Sequence, residues 1–549
     1  MDTRKLGLLL LLGLVAFWAT QGFDLWDSGY IAGYSWRIAQ GELPYRDFFY
    51  KGPPATLFLW SLGIQFLPTL GQFFYLKCLN WMLFLLQTQL WFKGIQKGFG
   101  ITLPYSTLLL GMGILFSVQF FPMYPWPTTD GLFFSSVAFY LWTLCFKKYR
   151  IHFYIPWIGL FSILAALSKQ SFYVVPIAFL LATAIRYKPI TVFYLALAQM
   201  ASIGLFIWGF LQFTSLEQFL AHTTGETTFN DLWYTGIYNY LCPSRSWVLV
   251  WIPLGLLTIP LLIYTLRVKI TWKKGFQYAA ILWGIYGLFW AVVVSFQEGS
   301  RLLVLSTGLF LISYCTRNPE DRHKAGVLVL VFTAAWSASI SLGYPFPIFM
   351  GSALLVILYL GINEQFPHFT PLFIGVVSIG CISGTVYQFH PYAEQPLSEL
   401  HYNLGQISPK LEGIQTSKLH FEKLKDLKSL HQQYRTKKQI VAPNIPIYYY
   451  VMGIQNPLPA DWLLNWEIHR DPKTLLEIAS KKENVIFVEK SFVQGNELFM
   501  PKNRADFSVV SDYIVRHFQK INETKYFMVF KGTPLHAPLP QTFKTGTIQ

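Results

Sequence analysis

The sequence predicts a helical, polytopic membrane region followed by a small C-terminal α/β domain. Three observations predict it. Apolar runs of the length a bilayer-crossing helix needs recur through the first 390 residues or so. Only 13% of the chain is charged while 53% is apolar, with a mean hydropathy of +0.38, against about 25% charged residues in a soluble domain. From residue 391 the composition turns polar, and strand-like runs alternate with helical ones. A single soluble core, a fibre and a disordered chain are excluded by the same numbers.

In chain order, helices are expected at 6–22, 73–92, 103–121, 131–146, 152–168, 171–186, 190–214, 246–266, 276–296, 302–316, 325–342, 346–361 and 371–389. The run 55–67 is bracketed by Pro53, Pro54 and Pro68 and is short for a span, which predicts an interfacial or re-entrant helix. With the N-terminus inside and 55–67 not crossing, the cytoplasmic side collects sixteen basic residues, from Arg4 and Lys5 to Arg322 and Lys324. The opposite side has six: Arg37, Arg46, Lys51, Lys169, Arg245 and Arg301. That asymmetry follows the positive-inside rule. An inverted chain in which 55–67 also spans satisfies the same charges. Arg4 and Lys5, a short apolar run and Ala16-Phe17-Trp18-Ala19 also fit a signal peptide, the alternative to a retained first helix. Thirteen spans from an inside start put the C-terminal domain outside.

This divides the chain into a transmembrane domain, 1–390, and an extracytoplasmic α/β domain, 391–549. In the latter, strands are expected at 438–442, 446–452, 484–489 and 525–531 and helices at 473–481 and 508–520. Asn522-Glu523-Thr524 matches a glycosylation sequon. The net charge of +15 reads as cytoplasmic anchoring of spans, so no nucleic-acid partner is expected. The five cysteines are scattered, with no zinc or disulfide spacing. There is no Walker A loop, no GxGxxG after a strand and no HExxH.

Residues 23–54, FDLWDSGYIAGYSWRIAQGELPYRDFFYKGPP, hold four acids and three bases in the longest early polar stretch. Gly29, Tyr30, Ala32, Tyr34, Trp36 and Ile38 suggest an amphipathic helix on the membrane surface, with turns at Gly41, Pro44, Gly52 and Pro53-Pro54. Read alone, the stretch is equally a solvated loop. The succession Asp27-Ser28-Gly29-Tyr30, Arg37 to Gly41, Pro44-Tyr45-Arg46-Asp47-Phe48 and Lys51-Gly52-Pro53-Pro54 resembles the first-loop signature of bacterial GT-C glycosyltransferases. The likeness is to the family of the dolichyl-phosphate-mannose protein mannosyltransferases and the lipid A aminoarabinose transferases. One departure is Ser28, where many relatives have a second acid.

The resemblance implies a GT-C-like fold and an inverting transfer of a sugar from a polyprenyl-phosphate donor. The acceptor is an envelope glycan, lipid or protein at the outer face of a bacterial inner membrane. Such a reaction needs a general base for the acceptor hydroxyl and cations for the leaving phosphate. Asp27 matches the family's acid and is expected as base. Asp24, three residues earlier, either shares that role or caps the surface helix. Asp130, opening a span after Pro122–Thr129, matches a second acid that orients acceptor or base, or else complements the helix dipole. Lys51, Lys169 and Arg301 are expected at the donor phosphate, against snorkelling for the lysines and an ion pair with Glu298 for Arg301. Tyr45, Arg46 and Asp47 support the loop. No cofactor is expected, although Asp24 and Asp27 are the pair that would hold a divalent ion. Segment 215–245, with Glu217, His222, Glu226, Asp231 and Arg245, is long enough for a lid, and His222 reads as a surface histidine. The alternative function is a transporter or flippase of lipid-linked sugars, for which ionisable groups near the midplane would be needed.

Overall fold

The computed structural model describes residues 3–102, 106–117, 124–146, 151–224, 234–241, 247–268, 271–293, 296–315, 318–340, 346–347, 349–388, 394–468, 472–495 and 503–533. Helices stand where the apolar runs place them: α1 (Thr3–Thr20), α2 (Asp27–Ala39), α3 (Ala55–Phe66), α4 (Gln72–Phe99), α5 (Ser106–Ser117), α6 (Pro127–Leu144), α7 (Ile151–Ala166), α8 (Val174–Arg186), α9 (Pro189–Phe210), α10 (Leu216–Thr224), α11 (Trp247–Arg267), α12 (Trp272–Val293), α13 (Phe296–Tyr314), α14 (Pro319–Ser339), α15 (Gly351–Gln365) and α16 (Thr370–Gln388). Among the described residues three helices are long and apolar enough to cross a membrane: Pro189–Phe210, Val248–Thr265 and Trp272–Val293. Their outer faces are apolar and bare. Met200 and Trp208 on α9 are 67% and 66% exposed, and Leu256 on α11 is 68% exposed. Such continuous apolar surface belongs against lipid, and the chain is a polytopic helical membrane protein.

The two ends of the bundle differ in chemistry. At one end Lys97 stacks on Tyr140, Arg186 on Phe146, Lys324 on Phe99 and Tyr314, and Lys273 pairs with Asp321 at 2.7 Å. These are the basic residues expected in cytoplasmic loops. The other end carries the first loop, the α7–α8 hairpin, the start of α6 and the end of α14, together with the C-terminal region.

That region is built on a four-stranded sheet: β1 (Lys438–Ala442), β2 (Asn484–Glu489), β3 (Gln519–Glu523) and β4 (Phe527–Lys531), in the order β1-β2-β4-β3. β1 and β2 are parallel, and the other pairings are antiparallel. Side chains alternate along each strand. Ile440, Ala442, Ile486, Val488 and Phe530 enter a core of their own with α19 (Pro472–Ala479) and α20 (Val509–His517). Val441, Val485, Phe487, Phe527 and Val529 face the other way, into the core shared with the helical bundle. Between bundle and sheet lie α17 (Lys418–Gln433) and α18 (Ile447–Met452).

Three expectations are corrected. The run 446–452 is a helix, α18, not a strand. Its tyrosines satisfy the β propensity that suggested a strand. Pro446 and the left-handed Gly453 (φ 70°) nevertheless bracket one helical unit. The Tyr449 hydroxyl accepts from Val441 N at 3.1 Å, while that of the adjacent Tyr448 donates to Gln439 Oε1. Second, the helix expected over 508–520 stops at His517, and Gln519–Glu523 form the polar strand β3. Third, the first-loop helix α2 forms, yet it does not present one face to a membrane surface. Ten of its residues are buried, Gly29, Tyr30, Gly33 and Tyr34 among them. It lies between α3 and α18. A Cβ on Gly29 would come within 2.4 Å of Ile447 N, and one on Gly33 within 3.0 Å of Pro446 O. Glycines four apart on one face therefore let the two helices touch backbone to backbone.

Candidate active site

The first loop is anchored at its entry, along α2 and at its exit. At the entry Lys77 of α4 donates to the carbonyls of Gln21 (2.6 Å) and Gly22 (2.8 Å), close to the negative end of the α1 dipole. Gly22 N donates to Gln415 O at 3.0 Å, and Glu394 accepts from Phe23 N at 3.0 Å. Along α2 and the exit, residues 454–468 run across the loop as a strap. Trp36 Nε1 donates to Ile454 O at 3.1 Å and Phe49 N to Pro459 O at 2.6 Å. Buried Arg37 divides its guanidinium between Glu42 (2.5 Å), Leu458 O (2.9 Å) and Asp461 (2.9 Å), with the Phe48 ring beneath it. This is the geometry a planar fork allows and a lysine does not.

Asp27 is the first residue of α2, half-buried, with Tyr30 one turn on. Asp24 is fully buried and turned inward. Its carboxylate accepts from Trp26 N at 2.8 Å and Ser28 N at 3.1 Å, which is how an acid caps the first turn of a helix. Burial pushes its pKa up to about 6, opposed by those amides and by His420. Asp130 lies in the first turn of α6, wholly buried, and its Oδ2 accepts from Trp60 Nε1 of α3 at 2.9 Å. The interfacial helix thus fixes this acid.

Lys169 occupies the hairpin between α7 and α8. Its ammonium donates to Thr128 Oγ1 (3.1 Å) and Ile340 O (2.8 Å). Among the described residues no carboxylate pairs with it. Its neighbour Gln170 donates to Lys51 O at 2.7 Å and to Thr223 O of α10 at 3.0 Å. One amide therefore joins the first loop, this hairpin and the helix that begins the expected lid. Arg301 is one turn inside α13, not in the outer turn the sequence suggested, because that helix already starts at Phe296. Buried, it donates to Asn239 O at 3.0 Å, and the next residue, Tyr240, donates its hydroxyl to Ser339 Oγ at 2.8 Å, adjoining Ile340. Glu298 accepts from Trp290 Nε1 at 3.0 Å. Lys51, Lys169, Asp130 and Arg301 thus belong to one connected end of the bundle.

The loop-support residues form a tight turn. Asp47 Oδ2 accepts from Leu43 N at 2.8 Å and pairs with Arg46 at 2.6 Å. Tyr45, at φ 68°, donates its hydroxyl to Gly52 O at 2.5 Å and packs edge-on against Phe210, Phe219 and His222. His222 is thus packed against the loop rather than free on the surface. Glu226, Asp231 and Arg245 lie outside the described residues. Among the described residues no three His, Cys, Asp or Glu side chains group as a metal site.

One site residue was missed in the sequence. Glu467, in the strap, bonds the Lys51 ammonium. It also meets the Tyr30 hydroxyl, and Trp462 packs on the Tyr30 ring at 4.7 Å. Its signal was an acid directly after the aromatic stretch Trp462-Leu463-Leu464-Asn465-Trp466.

The fold is similar to that of ArnT from Cupriavidus metallidurans in two crystal structures. One is bound to undecaprenyl phosphate (TM-score 0.46, 10% identity, 98% of this chain and 100% of that one), and one is in the apo state (TM-score 0.46, 10% identity, 97% and 99%). It is also similar to the Archaeoglobus fulgidus oligosaccharyltransferase, crystallised as a complex with Zn and sulfate (TM-score 0.41, 12% identity, 88% of this chain and 68% of that one). No family model matches the sequence, and no curated protein matches it.

Proposed function

We infer that this chain is an inverting glycosyltransferase that uses a polyprenyl-phosphate sugar and acts at the outer face of a bacterial inner membrane. In this reading it crosses the bilayer thirteen times, with the N-terminus cytoplasmic and residues 391–549 outside. The observation that carries it is the junction of Lys51 and Lys169. Two cation-bearing loops more than a hundred residues apart are joined where the Gln170 side chain donates to the Lys51 carbonyl, and the Lys169 ammonium donates to two neutral oxygens. A half-buried ammonium with only neutral partners favours an anion, and a lipid phosphate meets the protein at this depth. The segregation of basic residues to the opposite end supports the orientation.

Asp27 takes the proton of the acceptor hydroxyl, whose oxygen attacks the anomeric carbon from the face opposite the phosphate. The bond from that carbon to the phosphate oxygen breaks, and Lys51, Lys169 and Arg301 neutralise the polyprenyl phosphate that leaves. Asp130, held by Trp60, orients the groups around the base.

The test is transfer from synthetic polyprenyl-phosphate sugars by purified full-length protein. Wild type is expected to transfer. Asp27→Asn is expected to lose transfer while still binding donor lipid; full activity in that variant removes Asp27 as base. Movement of lipid-linked sugar across liposomes with no transfer from any donor overturns the enzyme in favour of a flippase.

A further inference from the structure

The geometry points to Glu467 as a resident anion that occupies the Lys51 ammonium until the donor phosphate displaces it, the released carboxylate then being kept by the Tyr30 hydroxyl. The inference rests on the function proposed above and extends it, because it makes the C-terminal strap part of the donor site.

Four observations carry it. Glu467 is buried, and a buried carboxylate needs a partner. Lys51 is that partner, and its side chain is still 34% exposed, so another anion can approach the same ammonium from the open side. The Lys51 backbone is fixed independently, through its carbonyl, by Gln170. Exchanging one anion for another therefore moves only the side chain. Tyr30 offers Glu467 a second hydrogen-bond donor, so the carboxylate is not stranded when Lys51 leaves.

A group of this kind weakens donor binding while it is charged. Neutralising it must then tighten binding, the opposite of what loss of a purely structural contact does. Donor-lipid affinity is measured with a synthetic polyprenyl phosphate on the full-length detergent-solubilised protein. Glu467→Gln is expected to bind roughly three- to tenfold more tightly than wild type, the range spanned by an ion pair with one buried partner. The gain is expected to disappear in the Lys51→Ala background. Glu467→Asp, which shortens the reach to Lys51 and keeps the charge, is expected to give a smaller gain, and it serves if the Gln variant does not fold. Unchanged or weaker binding in the folded variants, or a gain that persists without Lys51, overturns the role of Glu467. If wild-type protein fails to bind polyprenyl phosphate at all, it is the proposed function that falls.

Discussion

Arg37 of the first loop and Asp461 of the strap are 424 residues apart in sequence and 2.9 Å apart in space, both buried. This pair closes the clamp that holds α2 between the helical bundle and the C-terminal region. Glu42 and Leu458 O complete the shell of the guanidinium, so the charge is fully compensated where it lies.

Removing one side of a buried pair leaves the other uncompensated. Arg37→Ala is expected to cost about 3–5 kcal/mol. The check is thermal unfolding of the detergent-solubilised protein. Arg37→Lys is expected to recover little of the loss, because an ammonium cannot span Glu42, Leu458 O and Asp461 together.

The contact between α2 and α18 is set by glycine. A Cβ at Gly29 meets Ile447 N at 2.4 Å, so Gly29→Ala forces the helices apart and is expected to destabilise by about 1–3 kcal/mol. Limited proteolysis of the first loop reports the separation. Gly204→Ala, at a position where a Cβ meets nothing within 4 Å, is the control and is expected to leave the pattern unchanged.

Asp24 titrates in the folded protein near pH 6, above its ordinary 3.8, because burial disfavours the anion. The native state then holds this proton more firmly than the unfolded chain does. The contribution of Asp24 to stability therefore rises as pH falls through 6 and levels off below the ordinary value. Asp24→Asn lacks that slope. The melting temperature of wild type minus that of the variant is expected to increase as pH is lowered from 7 to 4, and a flat difference contradicts the assignment. Asp24→Ala, which also loses the acceptor for the Trp26 and Ser28 amides, is expected to cost a further 0.5–2 kcal/mol or so at any pH.

The Lys169 ammonium donates to two neutral oxygens, Thr128 Oγ1 and Ile340 O. Lys169→Ala is expected to raise the donor KM roughly ten- to a hundredfold, the worth of a charge-assisted hydrogen bond. Initial rates against donor concentration give the answer. A KM within twofold of wild type rules out contact with the phosphate.

The local parts of this architecture were legible in the sequence because their causes are local. Apolar runs place the helices, and the short apolar runs in 438–442 and 484–489 place the two parallel strands β1 and β2. Asp24 as a helix cap was one of two readings open from its spacing alone. The rest depends on contacts across hundreds of residues, for which no local pattern exists. The burial of α2 comes from α18 and the strap, both far along the chain, so the segment from Gly29 to Ile38 reads as a membrane-surface helix until Pro446 and Ile447 are brought against it. The tyrosines of α18 have strand propensity and are overruled by the backbone of Gly453 and by partners on β1. β3 reads Gln-Lys-Ile-Asn-Glu, an exposed edge strand without an apolar face. Glu467 carries no motif and is defined only by meeting Lys51.

The clamp also imposes an order on biosynthesis. Residues 23–54 leave the ribosome first, yet Asp461 and Glu467 are made more than four hundred residues later. Until then α2 has its glycine face bare and Arg37 without its distant partner. A chain cut short before the strap would insert its helices and still lack a finished loop, so a premature stop is expected to give an inserted but incompetent protein rather than a partly active one.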